Sequence, residues 1–299
     1  METNNNFHGI YSALVTPYTS SDTINKKGLL QLVEYQLRGG VSGFFVTGTT
    51  GEMLLQSRAE RAEIVETVAA AIGGRAQLIV QIGGLSLRDA LENGRVAVQC
   101  GADALSAIPP VYYRYRTEEI YDYYRKIVEA FDLPFFLYNI PCCTGIDLME
   151  EEYRKLFELP RVIGVKESTP HHDGMRALLR EYPEAVLLNG CDEHLLTTLK
   201  LGVRGAVGST YNLLPAAYCA LCTAYGAGNE AEASALQMRC NAVLEVLIKY
   251  GNVPAVKHVL REFVGIDAGE CRQPFRRLSD GEKQALTAEI APLLSGLIS

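Results

Sequence analysis

The chain contains 299 residues, of which 48% are hydrophobic, and a chain of this length and composition can bury one large core. Lys and Arg together number 28 and Asp and Glu 35, which gives a formal net charge of −7 at pH 7. There is no basic run that could follow a phosphate backbone, so we expect no nucleic acid partner. Because α/β barrels often reach this length alone, we predict a single domain spanning residues 1–299.

The N-terminal stretch Met1–Asn6 has neither the positive charges nor the apolar run of a signal peptide, so we expect a cytoplasmic protein with reduced thiols. Eight cysteines are scattered along the chain. Cys219 and Cys222 are two residues apart, but no second thiol or histidine pair stands at zinc spacing. The histidines show no metal spacing either, and we interpret His171 and His172 as solvated loop residues. We therefore expect no metal.

Short runs of β-branched and aromatic residues recur along the chain, each followed by a helical pattern. The runs are mostly continuous in hydrophobicity, which is typical of parallel strands covered on both faces. They predict eight strands, at Tyr11–Thr16, Gly43–Thr47, Leu78–Ile82, Ala104–Ile108, Phe135–Tyr138, Val162–Lys166, Val186–Leu188 and Arg204–Val207.

The segments between these strands indicate helices. Ser57–Ile72 and Thr117–Phe131, for example, carry acidic residues near their starts and apolar residues at helical spacing. Gly205–Asn229 carries no charge and is long enough to span a membrane, but polar and turn-forming residues interrupt its first half. We therefore predict a buried helix over Leu213–Tyr225 and no membrane partner.

Eight strand–helix units close into a barrel more readily than into an open sheet. We predict a (β/α)8 TIM barrel over about residues 8–225, followed by a C-terminal helical extension over about residues 226–299. A doubly wound sheet is the alternative, although no G-x-G-x-x-G turn follows the first strand as a dinucleotide site would require.

The active site of such a barrel collects at the C-terminal ends of the strands, so polar residues there are the candidates. Lys166 ends an apolar strand, where desolvation of the ammonium group lowers its pKa and favours the nucleophilic amine. The alternative is a lysine that leans out of the barrel and stays solvated. Tyr138 ends the preceding strand, and its phenol either shuttles protons in the same cavity or simply packs and caps a loop.

Two further groups of polar residues follow strands. Gly48–Glu52 has the sequence Gly-Thr-Thr-Gly-Glu, whose glycines admit a ligand close to the backbone and whose N–H and hydroxyl groups could hold a carboxylate. By itself such a turn is weak evidence for a ligand. Asp192 and Glu193 follow the seventh strand, where adjacent carboxylates either accept hydrogen bonds from the hydroxyls of a sugar chain or begin the next helix.

Together these residues resemble the family that contains dihydrodipicolinate synthase and N-acetylneuraminate lyase, over nearly the whole chain. Gly48–Glu52, Tyr138–Pro141 and Val165–Lys166 fall in the family's order and spacing, each at the end of its expected strand. The resemblance implies a class I aldolase, a homotetramer without a cofactor. Its implied partners are small molecules, namely pyruvate with a sugar aldehyde, or sialic acid.

The resemblance also implies roles for individual residues. Lys166 forms the Schiff base with pyruvate, Tyr138 relays protons, and the two threonines of Gly48–Glu52 bind the carboxylate with nearby N–H groups. Tyr112 is similar to a tyrosine that reaches the site of a neighbouring subunit. The implied catalytic residues are Lys166, Tyr138, Thr50 and Tyr112, and the implied carboxylate-binding residues are Thr49, Thr50 and Gly51.

Two features favour the lyase branch of the family. Synthases would have an arginine at Cys143 to hold the carboxylate of aspartate semialdehyde, and a thiol cannot supply that bidentate cation. Gly190–Glu193 and Gly208–Asn212 are similar to segments of the lyases, although Cys191 stands where lyases often carry an aromatic residue. In that branch the polyhydroxy chain of sialic acid is bound at positions that correspond to Ser168, Gly190, Asp192, Glu193, Gly208 and Ser209.

We therefore expect retro-aldol cleavage of N-acetylneuraminate to N-acetylmannosamine and pyruvate. The enzymatic alternatives are another pyruvate-dependent aldolase of a 2-oxo-3-deoxy sugar acid and, third, 4-hydroxy-tetrahydrodipicolinate (dihydrodipicolinate) synthase. A non-catalytic binder that kept the barrel is a further alternative, against which Lys166 and Tyr138 argue together. A pyridoxal phosphate enzyme is disfavoured because no arginine or glycine-rich phosphate cup follows strands seven and eight convincingly.

Overall fold

The computed structural model describes residues 6–298, so most of the stretch examined for a signal peptide, residues 1–5, lies outside the described residues. Eight parallel strands pair in chain order, and β8 closes the barrel against β1. The strands are β1 (Gly9–Ala13), β2 (Gly43–Val46), β3 (Gln77–Gln81), β4 (Ala104–Ala107), β5 (Phe135–Asn139), β6 (Val162–Glu167), β7 (Val186–Asn189) and β8 (Gly205–Gly208). The predicted barrel is confirmed, and the doubly wound sheet is wrong.

Every predicted strand overlaps an observed one, and the largest difference is in β1. This strand covers Gly9–Ala13 rather than Tyr11–Thr16. Its predicted end leaves the ladder because the N–H of Val15 donates to the side-chain carbonyl of Asn212 at 3.0 Å instead of to a strand. Its true start is a glycine paired with Gly205 of β8, and glycine gives no strand signal in a sequence.

Helices cover the outside of the barrel and form the C-terminal extension. They are α1 (Lys26–Arg38), α2 (Arg58–Ile72), α3 (Leu87–Gln99), α4 (Thr117–Ala130), α5 (Pro141–Thr144), α6 (Glu150–Leu156), α7 (His172–Glu181), α8 (Leu195–Lys200), α9 (Pro215–Gly226), α10 (Glu230–Tyr250), α11 (Asn252–Val259) and α12 (Asp280–Leu294). The start of α2 shows why its prediction succeeded. The Ser57 hydroxyl accepts from the Glu60 N–H at 3.3 Å, and the Glu60 carboxylate accepts from the Ser57 N–H at 2.8 Å.

Two expectations about local structure have different outcomes. The uncharged segment forms the helix α9 after β8, as predicted, and within residues 6–298 no helix is long and apolar enough to cross a membrane. The expectation for His172 was wrong, because this residue begins α7 and is half-buried. Its ring packs edge-on against that of His194, with the centroids 4.8 Å apart, which withdraws it from solvent.

The strands alternate their side chains between two hydrophobic layers. Along β5, Phe136 and Tyr138 point into the barrel, whereas Phe135 and Leu137 pack against the surrounding helices. The interior layer also contains Phe45 of β2, whose ring meets that of Tyr138 edge-on at 5.4 Å. These aromatic side chains fill the barrel below its C-terminal mouth, and the site lies directly on them.

Candidate active site

Lys166 lies inside the barrel rather than leaning out of it. Only 3% of the residue is exposed, and its Nζ atom lies 4.1 Å from the ring centroids of both Phe45 and Tyr138. Burial lowers the pKa of Lys166 to about 7, an effect that the negative charge of Asp192 partly opposes. In a large fraction of the molecules Lys166 is therefore a neutral amine near pH 7, and the neutral amine is the form that attacks a carbonyl carbon.

Side chains alternate between the two faces of β6, so Lys166 and the next residue, Glu167, point in opposite directions. Glu167 points outward, where its carboxylate accepts hydrogen bonds from the Tyr153 hydroxyl at 2.5 Å and the Asn139 side-chain amide at 3.0 Å. Burial raises the pKa of Glu167 to about 7. The two adjacent ionisable groups thus occupy opposite faces of β6, and Glu167 does not belong to the cavity that holds the lysine.

Tyr138 is the cross-strand partner of Lys166 in the β5–β6 register. Its hydroxyl lies 3.3 Å from Thr49 Oγ1. Burial raises the pKa of Tyr138, and side-chain hydrogen bonds with Thr49 and Ser168 only partly offset that rise. The phenol is therefore protonated at neutral pH, and it is placed to give a proton to a group bound at Lys166 and to take one back.

The loop Gly48–Glu52 closes into a tight turn beside Tyr138. The N–H of Gly51 donates to the Gly48 carbonyl at 3.1 Å, so this predicted carboxylate donor is engaged inside the turn. The side chains of Thr49 and Thr50 are half-buried at the mouth of the barrel. The Thr16 hydroxyl donates to the Gly51 carbonyl at 2.8 Å, which fixes the turn against the segment that follows β1.

A buried ion pair holds the end of this loop. Glu52 has a left-handed backbone (φ 64°), and its carboxylate accepts from Lys257 Nζ at 2.6 Å and from the Arg272 N–H at 2.7 Å. We did not single out Lys257 from the sequence. The available signal was a cation within Pro254–Val259, a segment that is otherwise apolar apart from one histidine.

The two adjacent carboxylates after β7 have different environments. Asp192 is buried, and its Oδ2 accepts from the Thr210 N–H at 2.8 Å, the Thr210 hydroxyl at 2.6 Å and the Ser209 hydroxyl at 3.3 Å. Burial raises the pKa of Asp192 despite these donors. Glu193 is exposed. Both residues begin a single helical turn, Asp192–His194, so the helix-start interpretation describes their backbone.

Two glycines let the loops of this region approach one another. A Cβ atom on Gly190 would lie 1.9 Å from the Ser168 hydroxyl, and one on Gly208 would lie 2.2 Å from Asp192 Oδ1. Any larger residue would separate the loops after β6, β7 and β8. The six residues predicted to bind a polyhydroxy chain therefore lie at the adjoining C-terminal ends of β6, β7 and β8 or in the loops that follow these strands.

Asn252, which the sequence did not point to, contacts this group. Its side-chain amide donates to the Ser209 hydroxyl at 2.8 Å. Tyr112 is open to solvent, since 87% of it is exposed, and its backbone is left-handed (φ 79°). Within residues 6–298, no three His, Cys, Asp or Glu side chains are grouped so that they could hold a metal ion.

A closed parallel barrel with a desolvated lysine and a protonated phenol at the C-terminal end of its strands defines an imine-forming barrel enzyme. The chain belongs to the dihydrodipicolinate synthetase family, whose model matches residues 6–292. Membership of this family, together with the buried lysine, assigns the chain to the class I aldolases. The resemblance seen in the sequence is thereby confirmed.

Individual relatives lie in the lyase branch of this family. The chain is 38% identical to the N-acetylneuraminate lyase of Rhizobium meliloti (strain 1021) over 288 residues, which cover 96% of this chain and 95% of the relative. CdNal from Clostridium difficile, solved in complex with mannosamine, has a TM-score of 0.93 at 31% identity, covering 96% and 99% of the two chains. A catalytic lysine mutant of the Ruminococcus gnavus sialic acid aldolase has a TM-score of 0.94 at 27% identity, covering 99% and 100%.

Proposed function

We propose that the chain is an N-acetylneuraminate lyase, which cleaves sialic acid to N-acetylmannosamine and pyruvate. The observation that carries this proposal is Lys166 Nζ, buried over the rings of Tyr138 and Phe45 with its pKa lowered to about 7. Relatives at 35–38% identity that are named N-acetylneuraminate lyase support the choice of substrate.

The first half of the reaction forms the imine. The neutral amine of Lys166 attacks C2 of the open-chain 2-oxo acid, and proton transfer from nitrogen to oxygen gives a carbinolamine. Tyr138 then donates its proton to the carbinolamine hydroxyl, which leaves as water. The products of this half are a positively charged imine on Lys166 and a phenolate on Tyr138.

The second half breaks the carbon–carbon bond. The Tyr138 phenolate accepts the proton of the C4 hydroxyl, the C3–C4 bond breaks, and its electron pair moves into the imine to give an enamine and the free sugar aldehyde. Tyr138 then protonates C3 of the enamine. Addition of water to the resulting imine, with return of a proton to the phenolate, releases pyruvate and the neutral amine of Lys166.

The remaining residues have binding roles in this proposal. Thr49 and Thr50 hold the substrate carboxylate, while Gly51 shapes the turn that presents them. The hydroxyl-bearing part of the sugar lies over Asp192 and Ser209, with the exposed Glu193 at its outer end. The full set for the sugar is Ser168, Gly190, Asp192, Glu193, Gly208 and Ser209.

Three broader features belong to the same proposal. The chain acts as one domain, with a barrel over about residues 8–225 and an extension whose Lys257 and Arg272 contact Glu52 of the Gly48–Glu52 loop. Four copies assemble in the cytoplasm, and the exposed Tyr112 reaches the site of a neighbouring copy. An aldolase for another 2-oxo-3-deoxy sugar acid is the second candidate, because Cys191 occupies the sugar side of the site.

A coupled assay tests the function. Purified protein with N-acetylneuraminate should release pyruvate, measured as NADH oxidation by lactate dehydrogenase, between about pH 6 and pH 9. Assaying a panel of 2-oxo-3-deoxy acids without the N-acetyl group in the same way distinguishes the second candidate from the lyase. No pyruvate from N-acetylneuraminate, but release from another member of the panel, would replace the lyase with that aldolase.

Trapping with borohydride tests the mechanism separately. Reduction in the presence of pyruvate should convert Lys166, and no other lysine, to the N-carboxyethyl derivative found by peptide mapping. Lys166→Met protein treated in the same way is the matched control and should acquire no adduct. An adduct on a different lysine overturns the assignment of the nucleophile.

A further inference from the structure

Two adjacent thiols lie on the turn that follows β5. Cys142 and Cys143 belong to α5, both are exposed, and their sulfur atoms are 3.8 Å apart. The chain offers a second pair for comparison, Cys219 and Cys222 on α9. These two are only partly exposed.

One thiol of the exposed pair borders a cavity close to Lys166. Cys143 lines a cavity of about 250 Å³ together with Thr49 and Ile140. It is also close enough to Lys166 for each group to influence the pKa of the other. A group that bridges the two sulfur atoms would therefore occupy space beside the loop that we propose holds the substrate carboxylate.

We propose that Cys142 and Cys143 form a dithiol site that binds a trivalent arsenical, R–As(OH)₂, through both sulfur atoms. Each thiol gives its proton to one hydroxyl of the arsenical, two molecules of water leave, and two As–S bonds replace two As–O bonds. Neither sulfur nor arsenic changes oxidation state. Soft sulfur ligands prefer soft, polarisable acceptors, and arsenic(III) is of this type.

Direct oxidation of the pair to a disulfide is the competing chemistry, and local geometry disfavours it. Consecutive Cα atoms are about 3.8 Å apart across a trans peptide, whereas Cα atoms joined by a disulfide are usually about 4.4–6.8 Å apart. A bridging arsenic atom removes this conflict because the sulfur atoms stay well beyond the roughly 2.05 Å of an S–S bond.

The binding and its effect on activity rest on different premises. Capture of the arsenical depends only on the two sulfur atoms of Cys142 and Cys143. Inhibition rests on the proposed function, because it requires that the neighbouring cavity admits the substrate. The experiment therefore reads both quantities separately.

Phenylarsine oxide is the probe, and the mass of the intact chain is the first readout. After removal of excess probe and a wash with a monothiol, wild-type protein should retain one phenylarsenic group, which 2,3-dimercaptopropanol then removes. Cys142→Ser should need about 100-fold more probe for the same occupancy, because one sulfur cannot chelate. Cys219→Ser/Cys222→Ser is the matched control and should behave as wild type.

Several results would overturn the dithiol site: no retained label on wild type, equal retention by Cys142→Ser, or loss of label in Cys219→Ser/Cys222→Ser. Pyruvate release is the second readout and should fall in proportion to occupancy and return with the dithiol. Retained label with full activity would support the dithiol site but refute the expectation that the bound arsenical keeps substrate out of the neighbouring cavity. Unlabelled protein that releases no pyruvate would refute the proposed function, while the mass result would still decide the dithiol site.

Discussion

Lys257 and Glu52 form a salt bridge of 2.6 Å in which the two side chains are only 1% and 0% exposed. Lys257 comes from α11 in the C-terminal extension, whereas Glu52 ends the loop that carries Thr49 and Thr50. The ammonium group also lies 4.5 Å from the centroid of the Tyr18 ring. The extension is therefore joined, through one buried pair of charges, to the loop that we propose binds the substrate carboxylate.

Lys257→Met should destabilise the protein strongly, because it leaves the buried Glu52 carboxylate with the Arg272 N–H but without a positive charge. Breaking one side of a buried pair costs about 3–5 kcal/mol in the free energy of unfolding. The KM for pyruvate in the aldol direction should also rise, since the loop loses the ionic part of its anchor. Denaturant titration and steady-state kinetics on folded protein measure the two effects.

The chain provides a matched control in an exposed salt bridge from the same extension. Lys249 and Glu289 are 2.7 Å apart, with side chains 59% and 38% exposed. Lys249→Met should change the free energy of unfolding by no more than about 1 kcal/mol and leave the KM unchanged. Equal effects of Lys257→Met and Lys249→Met would contradict the anchoring role.

The salt bridge between Lys257 and Glu52 is a feature that could not be predicted from the sequence. The strands and the motif Gly48–Glu52 could be predicted because each depends on a short run of neighbouring residues. Glu52 and Lys257 are 205 positions apart, and nothing local indicates that one charge neutralises the other. The direction of Lys166 was open for a related reason, since a strand-end lysine points inward or outward according to the register, which the closed barrel decides.

The rate of cleavage should depend on pH through Lys166. Because burial lowers the pKa of this amine to about 7, kcat/KM should rise about tenfold per pH unit below that value and level off above it. A pH–rate profile with N-acetylneuraminate provides the measurement. A limb centred near the ordinary lysine pKa of 10.5 would contradict a desolvated nucleophile.

The same group should affect stability in a defined direction. Between about pH 7 and 10.5 the unfolded chain holds a proton on Lys166 that the folded chain has released. The contribution of Lys166 to the free energy of unfolding is therefore least favourable below pH 7 and improves as pH rises through this window. Lys166→Met should lack this slope, which denaturant titrations of both proteins at several pH values would show.

A cation at position 143 should move the pH profile. Cys143 influences the pKa of Lys166, so Cys143→Arg would bring a positive charge near the amine and lower its pKa further. We expect the acidic limb of kcat/KM to shift to lower pH. Cys143→Ser adds no charge and should keep the limb near pH 7, and a shift of the same size in both variants would rule out the electrostatic cause.

Tyr138→Phe should lower kcat while leaving the lysine able to react. Removing the phenol takes away the proposed general acid and base, which costs about 10²–10⁴-fold in rate, and it also removes the 3.3 Å contact with Thr49. Borohydride should still trap pyruvate on Lys166, although more slowly. Thr49→Val removes the same contact but keeps the phenol, and its loss of the proposed carboxylate contact should raise KM. A fall in kcat as large as that of Tyr138→Phe would therefore place the catalytic effect in positioning rather than in proton transfer.

Replacing Asn252 should weaken binding of the sugar aldehyde and leave binding of pyruvate unchanged. Its amide nitrogen donates to the Ser209 hydroxyl, which donates to Asp192 Oδ2 at 3.3 Å, whereas its Oδ1 is buried without a hydrogen-bond partner within residues 6–298. Asn252→Ala removes the donor that orients Ser209, so the KM for N-acetylmannosamine in the aldol direction should rise about tenfold, which corresponds to about 1.4 kcal/mol. The KM for pyruvate should stay the same, because the Thr49–Thr50 loop is held by Glu52 instead. A parallel rise in both values would mean that Asn252 supports the whole barrel mouth rather than the sugar side of the site.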